Sequence, residues 1–243
     1  MRFMVMHKVD AQIEAGGPPN QDIISRMGEL VQGSLRQGTF LNGAGLHRSA
    51  LRARVRCHGG ECRVSKGPYA GENELVASFV MISAASLDAA VEHGKRLARA
   101  LGDGEVEVGP VVEPWDLGLV PKPSSAPGRF LLLCKASPDD ERGEGEAAKH
   151  RAAVQKLAEG FRDDGAVLAA DSLAPSSRGA RSAPSQGKRN WVDGPFAETK
   201  ELISGFSLLE LPSKADALAW ADRYGAILVD NEIDVREVHE PLP

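Results

Sequence analysis

The 243-residue sequence predicts an α+β protein built from two tandem copies of one unit. Three observations predict it. Identical residues recur 127 positions apart along nearly the whole chain, each copy shows the same succession of strand-like and helix-like patterns, and a Pro-, Ser- and Gly-containing stretch from Asp116 to Gly128 divides them. The offset pairs Arg2-Phe3 with Arg129-Phe130, Lys8 with Lys135, Gly38 with Gly165 and Arg54 with Arg181. It also pairs Gly67-Pro68 with Gly194-Pro195, Phe79 with Phe206 and Glu113-Pro114 with Glu240-Pro241. Near the second helix Asp88 answers Asp216 instead, which a one-residue insertion would explain. Domains are therefore expected over 1–115 and 129–243, with a linker over 116–128.

Each copy opens on an apolar run, Phe3 to Met6 or Phe130 to Leu133, of strand rather than helix length. A helix follows. Ile23, Met27, Leu30, Val31 and Leu35, answered by Val154, Leu157, Ala158 and Phe161, recur at helical spacing and predict one buried stripe. Gly38 and Gly165 stand where a helix ends in a left-handed residue. Thr39 to Leu46 and Ala166 to Leu173 read as the second strand, and Leu51 to Cys57 with Cys62 to Ser65 as a hairpin. Leu75 to Ile82, or Leu202 to Leu209, is the next strand. Ser86 and Ser213 suit helix N-caps, and Val106 to Val112 or Ile233 to Val238 closes the unit. That order implies an antiparallel sheet with both helices on one face, a ferredoxin-like arrangement. The other face needs a cover, so the two copies are expected to form a pseudo-dimer within one chain, leaving edges free for a further homodimer.

Composition narrows the partners. Acidic residues outnumber basic ones 34 to 29, for a net charge of -5, which leaves no basic footprint for nucleic acid. No apolar run is long enough to span a bilayer, and the amino terminus does not read as a secretory signal; a cytoplasmic protein with no membrane partner is expected. Three scattered cysteines, Cys57, Cys62 and Cys134, read as reduced thiols.

Several residues are candidates for chemistry. Asp193-Gly194-Pro195-Phe196 has the residue types of a turn, but Asp193 could also serve as a pocket acid or base with Phe196 as an apolar wall. The first copy keeps Gly67, Pro68 and Tyr69 yet has Lys66 where the acid would be, so Lys66 and Tyr69 become ligand-binding candidates. His7 ends the first strand opposite Cys134 and is a second acid–base candidate. Lys8 and Lys135, present in both copies, could hold an anionic group. The Cys57-His58-Gly59-Gly60-Glu61-Cys62 run has poor spacing for zinc, so no metal is expected, and no motif calls for a cofactor. Arg52, Arg54 and Arg56 alternate along a strand and read as a solvated face. Trp191 reads as core or interface.

The string DGPFAETKE, Asp193 to Glu201, closely resembles the signature of the DGPF family within the YCII-related superfamily. The SSRGAR run from Ser176 to Arg181, GAGL from Gly43 to Leu46 and VEPWDLG from Val112 to Gly118 resemble that family too. The resemblance implies ferredoxin-like domains assembled into a dimeric α+β barrel. It implies little about activity, although one relative is a dehydrochlorinase of a chlorinated hydroquinone and some resemble products encoded beside sigma factors, a link to a transcription factor by family context alone. Enzyme-like superfamily members use a histidine and an aspartate near the first helix. His150 lies near a helix start, but its counterpart is Ile23, so the dyad is not carried over. The expected function is binding of a small molecule in a pocket between the repeats, in a regulatory role; the alternative is a lyase, isomerase or hydrolase using an Asp or His acid–base group.

Overall fold

A computed structural model describes residues 1–9, 11–17, 20–72, 74–124, 127–163, 165–185, 188–196, 201–229 and 231–240. The first copy runs β1 (Arg2–Lys8), α1 (Ala11–Glu14), α2 (Gln21–Arg36), β2 (Phe40–Gly45), β3 (Ala53–His58), β4 (Glu61–Lys66), β5 (Val76–Ala84), α3 (Leu87–Ala100) and β6 (Glu105–Pro110). The second repeats it as β7 (Gly128–Lys135), α4 (Pro138–Arg142), α5 (Ala147–Asp163), β8 (Val167–Ser172), β9 (Ala180–Ser185), β10 (Lys188–Asp193), β11 (Ile203–Glu210), α6 (Lys214–Leu228) and β12 (Ile233–Glu237). A single 3-10 turn precedes β3 and β9, at Ser49–Leu51 and Ser176–Arg178.

The strands form two six-stranded antiparallel sheets, and neither belongs to one copy. One has the order β10-β9-β12-β1-β11-β2, the other β4-β3-β6-β7-β5-β8. β1 pairs with β11 and β12 of the second copy, and β7 with β5 and β6 of the first. The expectation of one sheet per copy is therefore corrected: the copies interlock by exchanging strands. Each sheet takes four strands from one copy and two from the other, and the two sheets have the same order of equivalent strands.

Alternation of side chains then assigns three cores. Met4 and Met6 of β1, with Phe206 and Leu208 of β11, meet Phe79, Met81, Leu131 and Leu133 of the other sheet, and the Phe79 and Phe206 rings lie 5.8 Å apart. Phe3 and Val5 point the other way, toward Trp220 and Tyr224 of α6. On the second sheet's outer face Val80, Ile82 and Leu132 meet Val91 and Leu97 of α3 and Val154 of α5. Because both faces of β1 and β7 are covered, their sequences read as continuous apolar runs rather than alternating ones. Each fully buried Leu, Met or Phe contributes about 1.5–3 kcal/mol.

The helix ends follow the local chemistry. Gly38 and Gly165 have φ of 70° and 71°, as their positions after α2 and α5 require. Ser86 and Ser213 cap α3 and α6 by accepting the amides of Ala89 and Asp216, which keeps the offset of 127 and removes the expected insertion. Asp88 and Asp216 simply occupy successive cap positions. The stripe on α2 is only half-buried: Met27 and Leu30 pack on the core while Leu35 is exposed. Trp220 is buried, and its indole donates to Ser34 Oγ at 2.8 Å.

Two sequence readings are corrected in the β3–β4 hairpin. Cys57 and Cys62 stand directly opposite and are joined as a disulfide, not held as thiols, because the hairpin register brings them together. Arg52 and Arg54 are buried and only Arg56 is exposed, because glutamates distant in sequence close over them.

Candidate functional site

The Gly-Pro turns have the same local structure in both copies. A Cβ on Gly67 would lie 1.9 Å from the Ser49 carbonyl oxygen, and one on Gly194 1.9 Å from that of Ser176, so both turns press their backbone onto a 3-10 turn and require glycine. Ser49 Oγ then accepts the Tyr69 amide and Ser176 Oγ the Phe196 amide, at 3.4 and 3.0 Å. Residues 197–200 of the DGPFAETKE string lie outside the described residues.

This packing puts each aromatic ring under an arginine. The Arg54 guanidinium is 4.3 Å from the centre of the Tyr69 ring and Arg181 4.3 Å from that of Phe196. Behind each arginine is a buried ion cluster. In one, Glu107 receives Arg52 at 2.8 Å, Arg54 at 3.3 Å and Lys135 at 3.4 Å, while Glu74 receives Arg54 at 2.8 Å and also Lys135. In the other, Asp234 receives Lys8 at 2.9 Å and both edges of Arg181, at 2.6 and 2.9 Å. Burial works to raise both carboxyls, but Lys135, Arg52 and Arg54 overcome it and hold Glu107 down at about 2; Lys8 and Arg181 likewise hold Asp234 low. Burial also raises the Tyr69 phenol. Among the candidates, then, Lys8 joins Phe196 in one cluster and Lys135 joins Tyr69 in the other.

Lys66 and Asp193 join neither cluster. Lys66, 61% exposed, pairs with Asp88 at 2.9 Å; Asp193, 76% exposed, pairs with Lys214 at 2.7 Å. The divergence between these equivalent positions is a surface ion pair with its charges reversed. His7 is half-buried, shares a hydrogen bond of 2.6 Å with Tyr224, and is driven down to about 4 by burial and by the Arg52 and Lys8 charges.

A cleft of about 240 Å³ opens beside Lys135. Its walls come from both copies: Ser78, Leu101 and Asp103 to Glu105 on one side, Cys134 to Ser137, Asp140, His150 and Ser172 on the other. The short helix α4 positions the aspartate. Ser137 is its N-cap and Pro138 its first residue, and the Ser137 amide and hydroxyl both donate to Asp140 Oδ2, at 2.9 and 2.6 Å. Asp140 Oδ1 lies 3.0 Å from His150 Nδ1. An aspartate held this way fixes the imidazole with its proton on Nδ1 and leaves Nε2 as the base. The Cys134 thiol in the wall is pushed by burial up to about 12, so it stays protonated.

The sequence reading set His150 aside because it answers Ile23, and did not single out Asp140. The structure brings His150 against Asp140, which answers Ile13, so this contact occurs in the second copy alone. Its signal was the Ser-Pro-Asp-Asp run of a capped helix ten residues before the histidine. In the other sheet the equivalent place holds the His7 ring, admitted by Gly205, whose Cβ would lie 2.4 Å from His7 Cε1. In the sheet of the cleft the smaller Cys134 faces Ser78 instead. Among the described residues no group of three or more His, Cys, Asp or Glu side chains could hold a metal ion, and no helix is long and apolar enough to cross a membrane.

Comparison with curated proteins and with solved structures found no match. A family model described as the YCII-related domain matches residues 1–115 and again residues 128–240, and the chain therefore belongs to the YCII-related family as a tandem duplication.

Proposed function

We propose that this YCII-related protein binds a small molecule in the cleft between its two copies and moves a proton on it with His150. The observation that carries the reading is the 3.0 Å contact between His150 Nδ1 and an Asp140 carboxylate already oriented by Ser137. His150 Nε2 takes a proton from the bound compound, Asp140 stabilises the imidazolium, and the same nitrogen returns a proton to the product, as a lyase or isomerase requires. The reading assigns the chain to the DGPF branch on its Asp193–Glu201 string, and treats the interlocked copies as one pseudo-dimeric α+β barrel. Main-chain bonds that join one sheet to the other support the barrel, such as His47 N to Pro110 O at 3.1 Å and Ala174 N to Glu237 O at 2.8 Å.

A proton-transfer enzyme exchanges substrate hydrogen with solvent. A metabolite extract incubated with the protein in deuterium oxide should contain compounds that gain deuterium with the wild type and, at a rate lower by about 10²–10⁴, with His150→Gln or Asp140→Asn. Equal labelling by the wild type and a folded His150→Gln variant would overturn the reading.

A further inference from the structure

The cleft beside His150 does not end at His150. A second cleft, of about 350 Å³, runs along α5 and β8, and Arg151 and Ser172 line both. The two spaces meet at these residues, one bearing a cation and the other a hydroxyl.

The charges along this path are unevenly committed. On the His150 side Glu72 is held by Arg56 at 2.5 Å, Glu105 by Arg54 at 3.2 Å and by Arg56 at 2.5 Å, and Asp103 by His58 at 2.8 Å. Lys135 is spent on Glu74 and Glu107. On the far side Asp171 is held by Arg2 at 2.7 Å. Among the described residues Arg151 has no ion pair and no hydrogen bond from its side chain to the protein. It sits next to the proposed base, half-buried, on a helix whose following turns line the second cleft. Arg162, eleven residues on and on nearly the same helix face, lines that cleft too. His239, which also lines it, is held below its ordinary value by burial and by the Arg151 and Arg178 charges, and so adds no second cation near neutral pH. Glu159, which accepts from Gln155 at 3.3 Å, and Glu240 line only the far cleft, as Asp171 does.

We infer that the site takes a small organic acid, whose carboxylate is held by Arg151 and Ser172 where the two clefts meet while its reacting carbon faces His150. A guanidinium offers two parallel donors that match the two oxygens of a carboxylate, and an arginine lacking a protein partner has them to spare. Both neighbouring spaces accept the rest of the molecule, so the anchor fixes one end and leaves the length of the acid open. The inference rests on the proposed His150 cleft for the position of the chemistry, but the anchor itself depends on Arg151 and Ser172 and not on His150.

The test uses benzoate and succinate against their amides, benzamide and succinamide, on the full chain at millimolar concentration, followed by histidine-ring NMR signals and calorimetry. At least one acid should bind at least tenfold more tightly than its amide and shift the His150 ring signals. Arg151→Met should weaken the acid at least tenfold and leave the amide unchanged, with Arg151→Lys intermediate; circular dichroism checks that each variant is folded. His150→Gln should still bind the acid within about twofold, a ratio worth less than about 0.5 kcal/mol. If neither acid binds, if acid and amide bind equally, or if folded Arg151→Met binds the acid as the wild type does, the inference is overturned. Absence of deuterium exchange with intact acid binding overturns the proton-transfer reading alone.

Discussion

Replacing Glu107 with Gln should remove a large and pH-dependent part of the protein's stability. The carboxylate is 1% exposed and faces Arg52, Arg54 and Lys135, which hold it at about 2 against an ordinary 4.5. At about 1.4 kcal/mol for each pH unit, that depression stabilises the folded state by about 3 kcal/mol. A depressed carboxylate stabilises fully above its unfolded value, so the contribution is complete above about pH 5 and is lost as pH falls through the folded value near 2. Gln cannot supply it at any pH, and it leaves three buried cations short of a counter-charge, a kind of change that costs about 3–5 kcal/mol. The assay is urea unfolding of both proteins from about pH 7 to about pH 2.5 at fixed ionic strength, because carboxylates common to both cancel in the difference. Wild type should exceed Glu107→Gln by about 3 kcal/mol or more near pH 7, about 6–12 °C in melting temperature, with the gap shrinking steeply below about pH 4. A gap of the same size at pH 3 and pH 7, or one below about 1 kcal/mol near pH 7, would refute the reasoning.

Gly194→Ala should lower stability by about 3 kcal/mol, because the new methyl meets the fixed Ser176 carbonyl, and a melting temperature within error of the wild type would contradict the close approach. Asp193→Asn removes only an exposed pair with Lys214, so it should cost less than about 1 kcal/mol and leave deuterium exchange intact; lost exchange at unchanged stability would return Asp193 to the acid–base role. The His7 ring should titrate near pH 4 by NMR, neutral in the folded protein throughout the physiological range. Since its folded value lies below the unfolded 6.5, His7 favours unfolding as pH falls from about 6.5 toward 4, and a midpoint near 6.5 would falsify the burial argument.

Local chemistry was legible in the sequence where it is local in space. The strand and helix order, the Ser86 and Ser213 caps and the glycines after α2 and α5 depend on neighbours a few residues away. Strand exchange was not legible, for a definite reason: β5 and β11 are copies of one another, so the pattern on β1 fits either partner equally well. Buried Arg52 and Arg54 were misread because Glu74 and Glu107 become neighbours only in the fold. The arginines also show why single positions mislead in a duplicated chain. Arg52 packs over Gly109, while in the second copy Arg236, at the position of Gly109, packs over Gly179, at the position of Arg52. Each half keeps one buried guanidinium but supplies it from the opposite strand. His150 was set aside by requiring repetition, and Asp140 becomes its neighbour only in the fold, in one copy alone.

The replacement of Cys134 and Ser78 by His7 and Gly205 in the equivalent place has a consequence for the genetics of the molecule. In an assembly of two identical chains every substitution appears twice, so a residue that helps one site must be tolerated in the other. Joining the copies removes that coupling. One half can mutate toward rigidity, with the His7 imidazole against Tyr224, while the other keeps an open cleft with its own histidine and aspartate. With the proposed His150 cleft, such a chain offers one centre per polypeptide, and separating its halves into two identical genes would force both halves back to a compromise.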